Sequence, residues 1–233
     1  MSAKIFESKV IESEYSHPKV KCLKFSTPKS FKFKAGQYLS LTIISNGKKF
    51  RRPYSISSSP NSEHVGFCVK LNKGSESSSF VKKLKKGDNV ELFGPLGKFV
   101  VDSKSKKKES IFISTGTGIS PFRSMIPWLL EEGCKKKIIL LKGFRNEKEI
   151  LYNNEFLKLQ RKYKNFEFHN ILSKPKNKKF KDKGHVQDFF DKYVPKDFDG
   201  NFYLCGLRKM VMDVEKKLEK IGIKKNRIFF EEY

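Results

Sequence analysis

Residues 111–125 constrain the fold more than any other stretch, because a short apolar run is followed at once by two closely spaced glycines and a helix-like segment. The alternating apolar residues predict a buried strand. Gly116 and Gly118 permit a tight turn and a close approach of the backbone to a ligand. Ser120 is expected to cap a helix whose first turn holds Pro121. This order favours a phosphate site, and a purely structural turn is the alternative.

The length of 233 residues accommodates one large domain or two small ones. The cysteines are far apart and form no C-x-x-C pair, which argues against a zinc site, an iron–sulfur cluster or a disulfide framework. They are Cys22, Cys68, Cys134 and Cys205. No apolar run approaches the ~20 residues that cross a membrane, and residues 1–10 lack a signal-peptide core. We therefore expect a metal-free cytoplasmic protein.

The formal net charge is +25, from 50 Lys and Arg residues against 25 Asp and Glu residues. Three interpretations stay open at this point. The charge can serve to bind nucleic acid, or it can attract an acidic protein partner. It can also be a solvated surface that carries no functional message.

Residues 3–101 contain short apolar segments separated by turn signals, which favours an antiparallel barrel or sandwich. Within them, Arg52 and Tyr54 share one face of an extended strand, whereas Ser55 points the other way. An arginine can hold a pyrophosphate and a tyrosine ring can stack on a flat cofactor, although an ordinary edge strand fits equally. The serines at 75–79 either cap a short helix over residues 80–85 and offer N–H groups to a phosphate, or form a flexible loop.

The charged run 103–108 is suited to a domain connection, and strands alternate with helices after it. The predicted strands cover residues 111–114, 137–141, 166–172, 201–205 and 227–231. The predicted helices cover residues 121–131, 154–163, 186–193 and 208–221. Such a parallel sheet binds ligands beyond the carboxyl ends of its strands, where the Gly116 turn and Cys205 can meet. The thiol of Cys205 is either a small buried apolar group or a reactive one.

Four motifs then occur in an order that resembles the ferredoxin–NADP(+) reductase family of flavoenzymes. They are Arg-Pro-Tyr-Ser at 52–55, the glycine-rich run at 87–97, Gly-Thr-Gly-Ile-Ser-Pro at 116–121 and Cys-Gly-Leu at 205–207. The resemblance covers nearly the whole chain. It implies a six-stranded antiparallel FAD-binding β-barrel in residues 1–103, followed by a doubly wound α/β domain with a five-stranded parallel sheet for NADP in residues 104–233.

The resemblance also implies roles at the flavin. Arg52 and Ser78 are expected to hold the FAD pyrophosphate, and Tyr54 to pack on one face of the ring system. Tyr233 is expected to cover the other face and to shift when the nicotinamide stacks. Ser55 is expected to form a hydrogen bond near N5 of the flavin. Further FAD contacts are expected at Pro53, Cys68, Val69 and Lys70.

On the nucleotide side, the resemblance implies that Cys205 and Glu231 shape the nicotinamide pocket. The expected catalytic residues are therefore Ser55, Cys205, Glu231 and Tyr233. Ser173 and Lys174 correspond to the pair that grips the adenosine 2′-phosphate, which favours NADP over NAD. Lys183 and His185 correspond to an adenosine-side segment, or to a solvated basic loop. The remaining expected nucleotide contacts are Thr115, Gly116, Thr117, Gly118, Pro121, Arg145, Gly206 and Leu207.

The implied activity is hydride transfer between NADPH and FAD and single-electron transfer with ferredoxin or flavodoxin, an acidic carrier that docks on exposed lysines of a monomer. One alternative is an NAD(P)H-dependent reductase that feeds an oxygenase, a haem protein or free flavin. A more distant alternative is a basic nucleic-acid-binding protein. The lysines are not interleaved with aromatic residues on one element, which disfavours the latter.

Overall fold

The computed structural model describes residues 3–195 and 198–233, and the chain divides into two compact units. The first unit contains the residues up to Val100 together with Ser120–Trp128. The second contains Val101–Ile119 and Leu129–Tyr233. In the part of the chain that the structure describes, no helix is both long enough and apolar enough to cross a bilayer.

Six antiparallel strands form the sheet of the first unit, in the order β4-β3-β6-β1-β2-β5. Their bounds are β1 Lys4–His17, β2 Val20–Ser26, β3 Tyr38–Ser45, β4 Lys48–Ser55, β5 His64–Lys70 and β6 Asn89–Leu96. One helix, α1, spans Glu76–Lys83. The predicted six-stranded antiparallel architecture is confirmed, and it takes the form of a half-barrel.

The side chains of β2 alternate between the core of the sheet and the surface. On β2, Leu23 and Phe25 are buried, whereas Cys22 and Lys24 are partly exposed. Phe67 of β5 joins the same core, and its ring centroid lies 5.0 Å from that of Phe25. The two-residue period of an extended strand therefore decides which residues of β2 face the interior.

Helix α1 begins earlier than the predicted range of 80–85. Its N-cap is Ser75, whose side chain accepts a hydrogen bond from the backbone N–H of Ser78 at 3.4 Å. The first serine of the run satisfies the helix start, so the following serines lie inside the helix instead of preceding it. The helix ends at Lys83, two residues before the predicted end, and the N–H of its C-cap Leu84 donates to the carbonyl of Val81.

Five parallel strands form the sheet of the second unit, in the order β11-β10-β7-β8-β9. Their bounds are β7 Ser110–Thr115, β8 Ile138–Phe144, β9 Phe166–Leu172, β10 Asn201–Gly206 and β11 Ile228–Glu232. Its helices are α3 Asn153–Lys162, α4 Phe190–Tyr193 and α5 Arg208–Lys220. Helix α2, Ile119–Glu131, is divided between the two units, with Ser120–Trp128 in the first. The predicted doubly wound parallel sheet is confirmed. The helix predicted over 186–193 is divided, because Val186–Phe189 form a 3-10 turn before α4.

The start of α2 differs from the prediction that Ser120 is the N-cap. A 3-10 turn over Gly116–Gly118 runs directly into the helix, and the N–H of Ile119 donates to the carbonyls of Gly116 and Thr117. Ser120 therefore lies within the first helical turn. Its hydroxyl is buried and has no hydrogen-bond partner among the described residues. The glycine turn supplies the acceptors that a capping residue normally provides.

Candidate functional site

The outer residues of β4 form the first cluster of predicted site residues. The guanidinium of Arg52 lies 4.8 Å above the ring of Phe50, and the ring of Tyr54 lies 5.7 Å from that of Phe67. Arg51, on the opposite face, lies 3.4 Å from a carboxylate oxygen of Glu91. Arg52 and Tyr54 thus occupy one face of the strand, as expected from strand geometry. Arg52 is exposed and Tyr54 is half-buried.

The start of α1 is connected to this cluster through hydroxyl groups. Tyr54 shares a hydrogen bond with the Ser77 side chain, and burial raises the pKa of the Tyr54 phenol. The hydroxyls of Ser77 and Ser75 lie 2.8 Å apart. Ser78 is buried, and its hydroxyl accepts a hydrogen bond from the N–H of Asn72 at 2.9 Å. A hydroxyl that accepts a bond also carries one proton to donate, so Ser78 retains the chemistry of a phosphate donor.

The other predicted residues of the first unit differ in exposure. Cys68 and Val69 on β5 are buried, and Lys70 at the end of that strand is exposed. Pro53 is exposed, and Ser55 is partly buried. An exposed guanidinium, serine hydroxyls and a half-buried tyrosine ring are together suited to a ligand that carries both a pyrophosphate and a flat ring.

In the second unit, the carboxyl ends of three neighbouring strands bring the second cluster together. Cys205 on β10 is in register with Ser114 on β7 and with Glu231 on β11. The hydroxyl of Thr115 accepts a hydrogen bond from the N–H of Leu207 at 3.0 Å. The predicted meeting of the glycine turn with the cysteine–glycine motif is therefore present within this unit, at the strand ends where open α/β sheets bind ligands.

Glycine is required at two of these positions. A Cβ on Gly118 would lie 2.2 Å from the carbonyl oxygen of Cys205. Gly206 has a φ of +142°, and a Cβ there would lie 2.3 Å from the Thr115 hydroxyl. The turn and the cysteine–glycine segment can therefore lie this close together only because glycine has no side chain at these two positions. Pro121, which was expected in the first turn of the helix, is buried in α2.

Tyr233 adjoins the same cluster. Its N–H donates to the carbonyl of Gly206 at 3.2 Å, and its hydroxyl shares hydrogen bonds with the side chains of Thr117 and Cys205. Burial of that hydroxyl raises the pKa of Tyr233, although the residue as a whole is 55% exposed. The hydroxyl is therefore held by the protein while the remainder of the residue is open to solvent.

Cys205 is completely buried, and this burial, together with the charge of Glu231, raises the pKa of its thiol well above the usual value. The thiol is neutral at pH 7, so the surroundings do not favour a nucleophilic thiolate. A neutral, polarizable sulfur at a strand end is suited to shaping a pocket for a flat ring.

A third cluster lies beyond β8 and β9. The N–H of Lys174 donates to the carbonyl of Arg145 at 2.7 Å, and the N–H of Ser173 donates to that of Phe144 at 3.0 Å. Arg145 and Lys174 are exposed cations. These predicted nucleotide contacts are brought together, as parallel register requires. Lys183 pairs with Leu172 as an isolated bridge.

His185 lies at the next turn and is exposed. Its N–H donates to a carboxylate oxygen of Asp188 at 2.9 Å, which closes the start of the 3-10 turn.

Sequence reasoning missed Glu147, which organises the lysine-rich loop that follows β9. Its carboxylate accepts hydrogen bonds from the N–H groups of Lys176 at 3.0 Å and Asn177 at 2.9 Å. These bonds lower the pKa of Glu147. The partners are about thirty residues apart along the chain, so no local pattern in the sequence could have indicated the pairing.

Comparison with known proteins identifies two domain types in this chain. A family model described as "Oxidoreductase FAD-binding domain" matches residues 7–101, and one described as "Oxidoreductase NAD-binding domain" matches residues 112–216. Ferredoxin--NADP reductase B of Sorangium cellulosum is 28% identical over 100% of this chain and 99% of its own length. The reductase component DmpP of phenol 2-monooxygenase from a Pseudomonas species is 36% identical over 83% of this chain, which covers 56% of that relative.

Solved structures show the same likeness. Ferredoxin-NADP+ reductase from Plasmodium falciparum has a TM-score of 0.83 and 28% identity, with 98% of this chain and 96% of that chain covered. The Amycolatopsis cytochrome P450 reductase GcoB has a TM-score of 0.90 at 22% identity, covering 99% of this chain and 70% of that one, and it shows the shared fold. The two domain matches and these relatives together assign the chain to the ferredoxin–NADP(+) reductase-like family of FAD- and NAD(P)-binding oxidoreductases.

Proposed function

We propose that this enzyme transfers a hydride between NADPH and FAD and exchanges single electrons with an acidic carrier protein, ferredoxin or flavodoxin. The observation that carries the proposal is the presence, in one chain, of an arginine–tyrosine–serine cluster and of a glycine turn held against a cysteine–glycine segment. We assign residues 1–103 to FAD and 104–233 to the nucleotide, in a monomeric cytoplasmic protein. When bound, FAD accepts a hydride at N5 and releases its electrons singly.

In the FAD-binding domain, the protein's task is to hold and orient. The Arg52 guanidinium and the Ser78 hydroxyl would bind the pyrophosphate, since both are donors and one is charged. The Tyr54 ring would pack on one face of the flavin, steadied by its bond to Ser77. Ser55 would donate a hydrogen bond near N5. Pro53, Cys68, Val69 and Lys70 would complete the contact surface.

On the nucleotide side, the turn of residues 115–118 and Pro121 would receive the pyrophosphate of NADPH at the start of α2. Gly206 and Leu207 would border the nicotinamide. Cys205 and Glu231 would shape its pocket, and the Tyr233 ring would shift to admit it. Orientation of the two rings, not acid–base chemistry, is the main contribution of these residues.

A preference for NADPH over NADH is supported by the cations beyond β8 and β9. Ser173 and Lys174 would hold the 2′-phosphate. Arg145 would lie beside them, because its carbonyl accepts a hydrogen bond from the backbone N–H of Lys174. Lys183 and His185 would border the adenosine. Lysine provides charge but not the planar fork of arginine, so the discrimination is expected to be moderate.

The electron acceptor has two candidate classes. The name of the Sorangium relative supports ferredoxin, and the excess of 50 basic over 25 acidic residues supports an acidic carrier. The phenol 2-monooxygenase relative supports the alternative of a reductase that feeds an oxygenase.

The test uses the purified protein. It should be yellow and release FAD on denaturation, and its flavin should be reduced faster by NADPH than by NADH in stopped-flow measurements. Adding ferredoxin or flavodoxin should accelerate NADPH-dependent reduction of cytochrome c. A colourless protein that FAD cannot reconstitute would contradict the flavin assignment. Flavin reduction without any response to either carrier would instead favour the oxygenase class.

A further inference from the structure

Two cysteines lie directly opposite each other in the first unit. Cys22 on β2 is in register with Cys68 on β5, and their Sγ atoms are 2.8 Å apart. Opposed residues of an antiparallel pair have Cα atoms about 4.5–5.5 Å apart, which lies inside the range that a disulfide spans. A disulfide has an S–S distance of about 2.0 Å, so the sulfurs have to approach by less than about 1 Å.

We propose that Cys22 and Cys68 form a reversible disulfide in response to a small oxidised disulfide such as glutathione disulfide. Cys22 is partly exposed, whereas Cys68 is only 6% exposed, so Cys22 meets the oxidant first. The Cys22 thiolate attacks one glutathione sulfur, forms a mixed disulfide and releases one glutathione thiolate. The Cys68 thiolate then attacks the Cys22 sulfur and releases the second. Two cysteine sulfurs are oxidised and two glutathione sulfurs are reduced, with no net change in protons.

The other two cysteines are in different surroundings. Cys205 is completely buried and Cys134 is 3% exposed. Burial raises the pKa of both thiols, which leaves little of the reactive thiolate. The thiol of Cys134 lies 3.8 Å from the carbonyl of Lys136, its hydrogen-bond acceptor. We therefore expect oxidation to be confined to the opposed pair.

The bond would fasten β5, which lies at the end of the strand order, to its neighbour β2. It would stand next to Phe67, whose ring packs against Tyr54. Disulfides of cytosolic proteins are mostly transient and respond to redox conditions, so a cytoplasmic location agrees with a bond that opens again. The formation of the bond itself does not depend on the proposed flavin chemistry.

The experiment counts thiols on the full chain as purified. Reduced protein is desalted, exposed to a millimolar excess of glutathione disulfide, quenched in acid, unfolded and alkylated, and its intact mass is measured. We expect two alkylated cysteines instead of the four in the sequence, a linked Cys22–Cys68 peptide after digestion, and recovery of all four after dithiothreitol. Four alkylated cysteines after oxidation, or a linkage between other cysteines, would overturn the proposal. The count is made whether or not the protein carries FAD, so failure of the flavin assignment leaves it unaffected.

Single variants separate the two chemical steps. Cys68→Ala should retain one bound glutathione at Cys22, because the resolving thiol is absent. Cys134→Ala is the matched control, a buried cysteine outside the pair, and should form the cross-link as the original protein does. A Cys68→Ala protein without bound glutathione would contradict the order of attack. If this variant does not fold, the peptide map of the unaltered chain decides.

Discussion

At the scale of single residues, Tyr233 combines a ring with a predicted stacking role and a hydroxyl that is bound to other parts of the chain. Its position and aromatic ring predict a stacking role through the family resemblance. The contacts of its hydroxyl with Thr117 and Cys205, and of its N–H with Gly206, could not be predicted, because they join residues from distant parts of the chain. The hydroxyl contacts and the ring can be separated by substitution.

Replacing Tyr233 with serine should strengthen nicotinamide binding and relax the choice between NADPH and NADH, because the ring that competes with the nicotinamide is removed. Steady-state KM and kcat for both nucleotides measure this. Tyr233→Phe is the control, since it retains the ring and loses only the hydroxyl bonds, and it should keep the original selectivity. If Tyr233→Ser keeps that selectivity too, the ring does not have the stacking role.

Gly118 offers a sharper test of the nucleotide cluster. A Cβ there would meet the main chain at Cys205, 2.2 Å away, so Gly118→Ala should destabilise the protein by more than about 2 kcal/mol and weaken NADPH binding. Gly116→Ala is the control for stability: its φ is +57° and its Cβ would meet nothing within 4 Å, so only the backbone cost of about 1 kcal/mol applies. Chemical unfolding measures both. Equal losses would show that the close approach to Cys205 does not matter.

At the scale of elements, β8 is buried along its whole length and carries a lysine one residue beyond the predicted strand end at 141. Lys142 has no exposed surface, and its ammonium lies 4.8 Å from the ring of Phe156 and 4.5 Å from that of Phe168. Its Nζ donates to the carbonyl of Leu151 at 3.5 Å. Burial lowers the pKa of Lys142 from 10.5 to about 7. The rings and the carbonyl favour the charged form and oppose part of this shift.

This lysine makes stability depend on pH. Between about pH 7 and pH 10 the unfolded chain binds a proton at Lys142 that the folded chain has lost, so the free energy of unfolding should rise with pH by a few kcal/mol over that window. Lys142→Met should remove the rise and stabilise the protein most at pH 6. Lys158→Met, at an exposed position of α3, is the control and should leave the rise unchanged. Guanidinium unfolding at pH 6 and pH 9 measures the difference, and an equal rise in Lys142→Met would refute the assignment.

The boundaries of the strands and helices show how far the elements could be predicted from the sequence. The strands and helices of the second unit were predicted within a few residues, because hydrophobic periodicity marks them directly. Helix starts were predicted less well. The N-cap of α1 is Ser75, the first serine of its run. A 3-10 turn stands where a cap at Ser120 was expected for α2. Several adjacent serines are equivalent as caps until the fold selects one of them.

At the scale of the whole molecule, the order of motifs predicted both folds and the family, because each motif belongs to a different strand or turn. The contacts between distant segments were beyond prediction. Glu147 with the loop at Lys176, and Cys22 with Cys68, are pairs that only the folded chain brings together. The net charge of +25 is a sum over the whole chain, so it does not by itself indicate which partner the protein binds.

The close contact between the glycine turn and the cysteine–glycine segment has an evolutionary consequence. Gly118 meets the main chain of Cys205, and the link at Leu207 uses its N–H and the hydroxyl of Thr115. The exposed side chains of Leu207, Arg145 and Lys174 take no part in that junction. A lineage can therefore exchange these outward residues, which are the proposed contacts to the nucleotide, while the junction itself is inherited unaltered.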